Sequence, residues 1–343
     1  MKTRLGAILC GTAIMAMVRT APGEDVRAPE TQTRPGPPPG TYSITPTAES
    51  IRIPFELFEG EIRLVGRIKG KEVRILVDNG ALWDDLLFFG SPRVDALGLR
   101  RAGKILVAGA GSGDPFEADM ASGISISFAG EGDRVIEFRD QSAIITPHDP
   151  AKLGSWEGAE GQISAALFKN FVVGFDFDEG VMTLVAPKAF DPEGQGTELP
   201  LKPLAGSASW AIPGVIALHD GRRLVVDMAI DLGWDEPLAI NAGQAHDIRV
   251  PEGLTKTRLG RGAQGDIHGY LGTVRCLQIG AFRLPNATAT YSTVEDGGAK
   301  DDEILVGLGT FARFHVHFDY PGHRLFLKPN RKFREPFAAP EPR

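Results

Sequence analysis

The chain has 343 residues, 42% of them hydrophobic, which is enough for two domains or one large one around a substantial core. Its formal net charge is −7 with no dense run of Lys or Arg, so it offers no cationic field to a nucleic-acid backbone. The only cysteines, Cys10 and Cys276, are too few for a disulfide framework, a zinc cluster or an iron–sulfur site, and neither a cofactor nor a metal is expected.

At the N-terminus, Lys2 and Arg4 precede an apolar run from Leu5 to Val18, the order of an export signal. Residues 1–21 therefore read as a signal peptide, or as an anchor if uncleaved, and the expected location is periplasmic or secreted. An uncleaved segment is the sole membrane attachment expected. Residues 22–50 contain seven prolines, from Pro22 to Pro46, and almost no large apolar side chain, so they read as a disordered linker. The folded body is expected over 51–330, with a Pro-rich tail at 331–343 lying on the surface.

Within that body the apolar runs are short and alternating: Glu61–Ile68, Val73–Val77, Gly123–Phe128, Phe171–Phe177 and Val181–Val185, each bounded by Gly, Asn or Asp. Helical periodicity is scarce. Short helices are expected only at Leu167–Phe171 and Thr310–Phe314. An internal repeat organises these elements. Phe168, Phe171, Val173, Phe175 and Asp176 recur without a gap as Phe311, Phe314, Val316, Phe318 and Asp319, 143 residues on, and Phe177 faces Tyr320. Upstream, Ile75-Leu76-Val77-Asp78-Asn79-Gly80 resembles Met228-Ala229-Ile230-Asp231-Leu232-Gly233. The reading is an all-β chain of two barrel-like lobes related by a pseudo-twofold axis, 51–190 and 207–330, joined by a linker at 191–206.

An apolar strand ending in Asp-x-Gly places a carboxylate on a tight turn, where Gly frees the backbone to aim amides at it. One such turn is commonplace. Two in equivalent places of a duplicated fold would be brought to the lobe interface by the symmetry, where adjacent carboxylates share a proton.

On these residues the sequence resembles the pepsin-like and retropepsin-like aspartic proteases, and more closely the bacterial exported aspartyl protease family with two lobes on one chain. The resemblance covers most of 51–330: opening strands, an Asp-x-Gly loop, a Gly-rich hairpin, then an apolar segment leading into Phe-x-Val-x-Phe-Asp. Ile304-Leu305-Val306-Gly307-Leu308-Gly309 is the better copy of that segment; in Gln162-Ile163-Ser164-Ala165-Ala166, Ser164 stands where Gly is expected. It implies Asp78 and Asp231 as a catalytic dyad, one carboxylate acting as general base on a water and the protonated other polarising a peptide carbonyl. Asn79, Gly80 and Ala81 would support the first aspartate, and Leu232, Gly233 and Trp234 the second. The family's usual hydroxyl residue after each aspartate is replaced by Asn79 and Leu232, and Trp234 puts an indole beside Asp231. Gly109, Gly111 and Gly113 would lie in a flap, with Gly260–Gly272 as its counterpart.

The resemblance implies a peptide or protein substrate, and a monomer, since one chain supplies both halves of the cleft. The alternative is a catalytically inactive pepsin-fold protein that binds a peptide or cell-envelope partner. The remaining candidates have plainer readings. Gly109–Gly113 lacks the Lys-Ser/Thr of a phosphate loop and fits a hairpin tip. His315 and His317 share a strand face without a third metal ligand of suitable spacing. Asp176 and Asp319 read as turn acceptors, and the echo of Trp83-Asp84-Asp85 in Trp234-Asp235-Glu236 reads as packing residues and solvated acids, or as cleft rims.

Overall fold

The structure, a computed structural model, describes residues 42–80, 86–148, 158–204, 209–243, 247–298 and 303–340. Among these residues the chain is almost entirely β, in sheets of nine, six and ten strands. The Leu5–Val18 run lies outside the described residues; within them, no helix is long and apolar enough to cross a membrane.

Each lobe is built on the same arrangement. In the first, Lys71–Val77 runs parallel to Gly161–Ile163, which pairs antiparallel with Leu86–Phe88. In the second, Arg223–Asp231 runs parallel to Ile304–Gly307, which pairs antiparallel with Leu238–Asn241. These central strands are covered on both faces, which is why Gly161–Ile163, Ile304–Gly307 and Leu238–Asn241 are buried at every position. Strands nearer the edge, such as Glu61–Ile68, show the in-and-out alternation of a half-covered sheet along their second half. A β-hairpin folds over the centre of each lobe, formed by Arg101–Val107 with Phe116–Ala129 and by Lys256–Gly262 with Gly265–Thr273.

The repeated Phe-rich segments form the six-stranded sheet that joins the lobes. Val172–Asp176 and Phe314–Asp319 pair antiparallel at its centre, with Val173 opposite Phe318 and Phe175 opposite Val316. Gly174 faces its own repeat partner, His317. Exchanging the two strands reproduces the same register, so the pseudo-twofold axis passes through the Gly174–His317 pair. Phe168, Phe175 and Phe311 meet Phe318 edge-on at 5.9, 6.1 and 5.3 Å between ring centres. The repeat is thus conspicuous in sequence because its aromatic residues pack against one another across the axis.

Several expected boundaries move. The strand Tyr42–Thr45 pairs with Val135–Ile145, so part of the stretch read as a linker is a strand of the first lobe; buried Ile44 supplies the apolar anchor that the proline count concealed. The segment 191–206 is more than a connection, because Thr197–Pro200 adds to the edge of the inter-lobe sheet and Lys202–Pro203 to the second lobe. The tail turns at Arg331–Arg334 and packs Phe333 and Phe337 on the core, with the Arg313 guanidinium 3.6 Å from the centre of the Phe337 ring. The helices occupy Ala165–Phe168 and Leu308–Phe311, a little earlier than expected, because each starts directly where its buried central strand ends.

His317 is largely buried on the axis, its Nδ1 has no hydrogen-bond partner, and Phe190 lies 5.5 Å away. Burial, aided by the neighbouring His315, pushes its pKa down to about 4. The unfolded chain therefore takes up this proton first, and stability falls as pH drops from about 6.5 towards 4. Chemical denaturation should show the wild-type chain losing on the order of 2 kcal/mol over that range relative to His317→Leu. Parallel pH profiles for the two proteins would contradict this placement of the imidazole.

Candidate active site at the lobe interface

Strand Lys71–Val77 delivers Asp78 and strand Arg223–Asp231 delivers Asp231 to the seam between the lobes. The two side chains are hydrogen-bonded to each other, and both are buried, at 2% and 0% exposure. Each sits on the same turn. The Gly80 amide donates to Asp78 Oδ1 at 2.8 Å, and the Gly233 amide donates to Asp231 Oδ1 at 2.9 Å. Burial pushes the Asp78 carboxyl up to about 6 against the pull of the Gly80 amide, Asp231 and Gln162.

The residues after the aspartates tie the lobes together asymmetrically. Asn79 Oδ1 accepts from the Leu232 amide at 2.9 Å, and Asn79 Nδ2 donates to the Tyr320 hydroxyl at 2.9 Å. Asn79, which stands in place of the family's hydroxyl residue, thus both donates and accepts. Leu232 contributes its backbone amide, while its side chain belongs to the main apolar core. Ser209, just ahead of the second lobe's first strand, donates its hydroxyl to the Gly80 carbonyl. Tyr320 is enclosed, and burial keeps its phenol well above the ordinary range, with both aspartates adding to the effect.

The floor of the site differs between lobes. Gln162 lies beside Leu76 in the parallel ladder, on the face of Asp78, and its Nε2 donates to Asp78 Oδ2 at 3.3 Å. The repeat position in the second lobe is Leu305, and there Trp234 fills the space. A Cβ added at Gly307, the ladder partner of Asp231, would stand 3.0 Å from Trp234 Cδ1. The indole edge therefore lies on the Asp231 face of the sheet. Trp234 packs with Ala229, Ala239, Leu259, Ile267 and Leu305.

The two hairpins close over this site and meet tip to tip. Gly109, Gly111 and Gly113 fall in the turn of the first hairpin, and Gln264 in the turn of the second. Gln264 alone makes four cross-lobe hydrogen bonds. Its amide donates to the Ala110 carbonyl (2.8 Å), its carbonyl accepts from the Gly113 amide (2.5 Å), its Oε1 accepts from the Gly109 amide (2.8 Å), and its Nε2 donates to the Gly113 carbonyl (2.7 Å). Gly111 has φ +121°, and a Cβ there would stand 2.5 Å from the Gln264 carbonyl carbon, so only glycine allows the approach. Ala263 at the second tip joins the apolar cluster of the first lobe, and Ala110 joins that of the second.

Of the other sequence candidates, Ala81 and Trp83-Asp84-Asp85 lie outside the described residues. Asp176 and Asp319 accept turn amides from Asp178 and Gly322, away from the dyad. His315 gains the neighbours that its spacing did not reveal, Asp176 at 3.3 Å and Asp178 at 3.6 Å. This trio has metal-compatible spacing, but Arg331 already pairs with Asp178 at 3.2 Å. Gln162, Ser209, Tyr320 and Gln264 are the site residues that motif reading passed over. Tyr320 and Gln162 had a signal: each departs from its repeat partner, Phe177 and Leu305.

No family model matches the sequence, and no curated protein matches it. Among solved structures, the aspartic proteinase from Irpex lacteus superposes with a TM-score of 0.54 at 13% identity, covering 83% of this chain and 99% of that one. Basic 7S globulin from soybean is similar at a TM-score of 0.48 and 10% identity, over 82% of this chain and 95% of that one. Together with the duplicated sheets, the first likeness gives the chain the fold of the pepsin-like aspartic proteinases.

Proposed function

We propose that the protein is an aspartic endopeptidase acting outside the cytoplasm. The observation that carries this reading is the pair formed by Asp78 and Asp231, two buried carboxylates in mutual hydrogen bond at the seam of the lobes. A structural role for two such groups is costly, because each loses its hydration. A shared proton makes the pair both base and acid. Asp78, which accepts from Gly80, Gln162 and Asp231, is the carboxylate. It takes a proton from a water, whose oxygen attacks the peptide carbonyl carbon while Asp231 protonates the carbonyl oxygen. Transfer of the proton now on Asp78 to the leaving nitrogen breaks the C–N bond while one hydroxyl of the gem-diol returns its proton to Asp231, giving an acid and an amine and restoring the singly protonated pair.

The hairpin clasp supports a second reading, in which the fold only binds. With Gln264 holding the tips, the dyad is shut away from an extended substrate, so catalysis requires the clasp to open. The two readings divide on the aspartates.

Asp78→Ala and Asp231→Ala should each abolish cleavage of denatured protein substrates, by at least about a thousandfold. As pH falls through about 6 the free enzyme's pair takes up its second proton and loses its base, so kcat/KM should climb with pH through the mildly acid range and fall again once the last shared proton leaves. Cleavage that survives in both variants would overturn the protease reading. Gln264→Ala removes two of the clasp's bonds, worth about 1–2 kcal/mol together. Hydrogen exchange at the Gly109 and Gly113 amides, both bonded to Gln264, should then quicken by about tenfold, and unchanged exchange would show that the Gln264 side chain does not hold the tips. A fusion of residues 1–50 to a reporter active only after export should be active in the native host; a silent fusion would contradict the proposed location.

A further inference from the structure

Two buried polar atoms beside the dyad have no hydrogen-bond partner among the described residues: Gln162 Oε1 and Trp234 Nε1. Their residues are 5% and 2% exposed. Both stand on the aspartates' face of the sheets, Gln162 through its ladder position next to Asp78 and Trp234 through its contact over Gly307. Each lies at the apolar underside of its own lobe's hairpin. Leu76 and Leu87, the ladder neighbours of Gln162, pack with Ile105 and Val107, while Trp234 packs with Leu259 and Ile267. The opposite hairpin tip joins each of these clusters, Ala263 the first and Ala110 the second.

An orphaned buried donor or acceptor is rare, because leaving it unmade forfeits its hydration. Here one lobe supplies an acceptor and the other a donor, from different repeat positions on either side of a pair of carboxylates. An extended peptide presents the complement, amide N–H and carbonyl groups along both edges. We propose that Gln162 Oε1 accepts a backbone N–H and Trp234 Nε1 donates to a backbone carbonyl of a peptide lying across the dyad. This rests on the reading of the site as a peptide cleft. It gives the two departures from the repeat, Gln162 opposite Leu305 and Trp234 opposite Ala81, one purpose: they grip the substrate backbone irrespective of its side groups. Gln162 binds with one end of its amide while the other end stays on Asp78, so the substrate and the catalytic carboxylate are positioned by a single group.

The test uses the whole exported protein and a non-cleavable probe, a statine-containing hexapeptide, together with analogues in which each backbone amide in turn is replaced by an ester. Calorimetry should show Gln162→Leu and Trp234→Phe each weakening the all-amide probe about fivefold, one ordinary hydrogen bond. Thermal melts establish that both variants are folded. Against the wild type, one ester analogue should lose a similar factor, and that loss should vanish against Gln162→Leu because the partner is already gone. The ester series on the wild type alone is informative even where a variant fails to fold. Tight binding of the probe with both variants unaffected, or ester losses that add fully to Gln162→Leu, would overturn the anchors and leave the peptide cleft standing. A wild-type protein that does not bind the probe would overturn both.

Discussion

Burying two carboxylates against one another is the constraint around which this protein is built. At the seam of the lobes neither Asp78 nor Asp231 keeps its water, and two anions in such contact would repel each other strongly. Retaining a proton between them and directing backbone amides at the rest is the inexpensive solution. The Gly80 and Gly233 amides each serve one Oδ1, from the same turn at the end of a central strand in both lobes. The parallel ladders to Gly161–Ile163 and Ile304–Gly307 fix where those strands end. The packed Phe residues of the shared sheet hold the two ends opposite each other. A shift in any of these layers would separate the carboxylates or ionise both.

The grip between the loops has been moved onto one residue. Asn79 bonds to the opposite loop with one end of its amide and to Tyr320 with the other, while Leu232 gives its amide to that grip and its side chain to the core. The second lobe thereby gains apolar packing under its aspartate, and the first gains polar contacts. The same division recurs at the floor, where Gln162 faces Asp78 and Trp234 stands on the Asp231 side. A symmetric architecture thus gives its two carboxylates unequal surroundings. The closed hairpins extend the logic: they keep water from the pair and, by meeting at Gln264, make that exclusion depend on contacts that opening can break.

Much of this was legible in the sequence because duplication prints structure twice. The Phe-x-Val-x-Phe-Asp segments and the Asp-x-Gly turns announced two lobes and a shared carboxylate pair, and glycines at 109, 111 and 113 announced a hairpin tip. What stayed hidden depends on contacts between distant segments. Nothing local tells Ser209 that it will meet the Gly80 carbonyl, or Gln264 that it will meet the opposite tip. Boundaries failed where a single side chain outweighed composition, as Ile44 does within a proline-rich stretch and Phe333 and Phe337 do in the tail. The more useful rule concerns the repeat itself. Three positions where the copies disagree, Asn79 against Leu232, Tyr320 against Phe177 and Gln162 against Leu305, place a polar group of one copy at the dyad.

The central claim is that Asp78 and Asp231 form one proton-sharing unit. Carboxyl carbon NMR of the folded protein, labelled at aspartate and followed with pH, addresses it most directly, with Asp231→Asn to assign and uncouple the pair. The account predicts that the Asp78 carboxyl titrates near 6 in the wild-type protein, well above an ordinary aspartate, and that its titration shifts when Asp231 loses its ionisable proton. An Asp78 that titrates in the ordinary carboxylate range, and identically in both proteins, would contradict it.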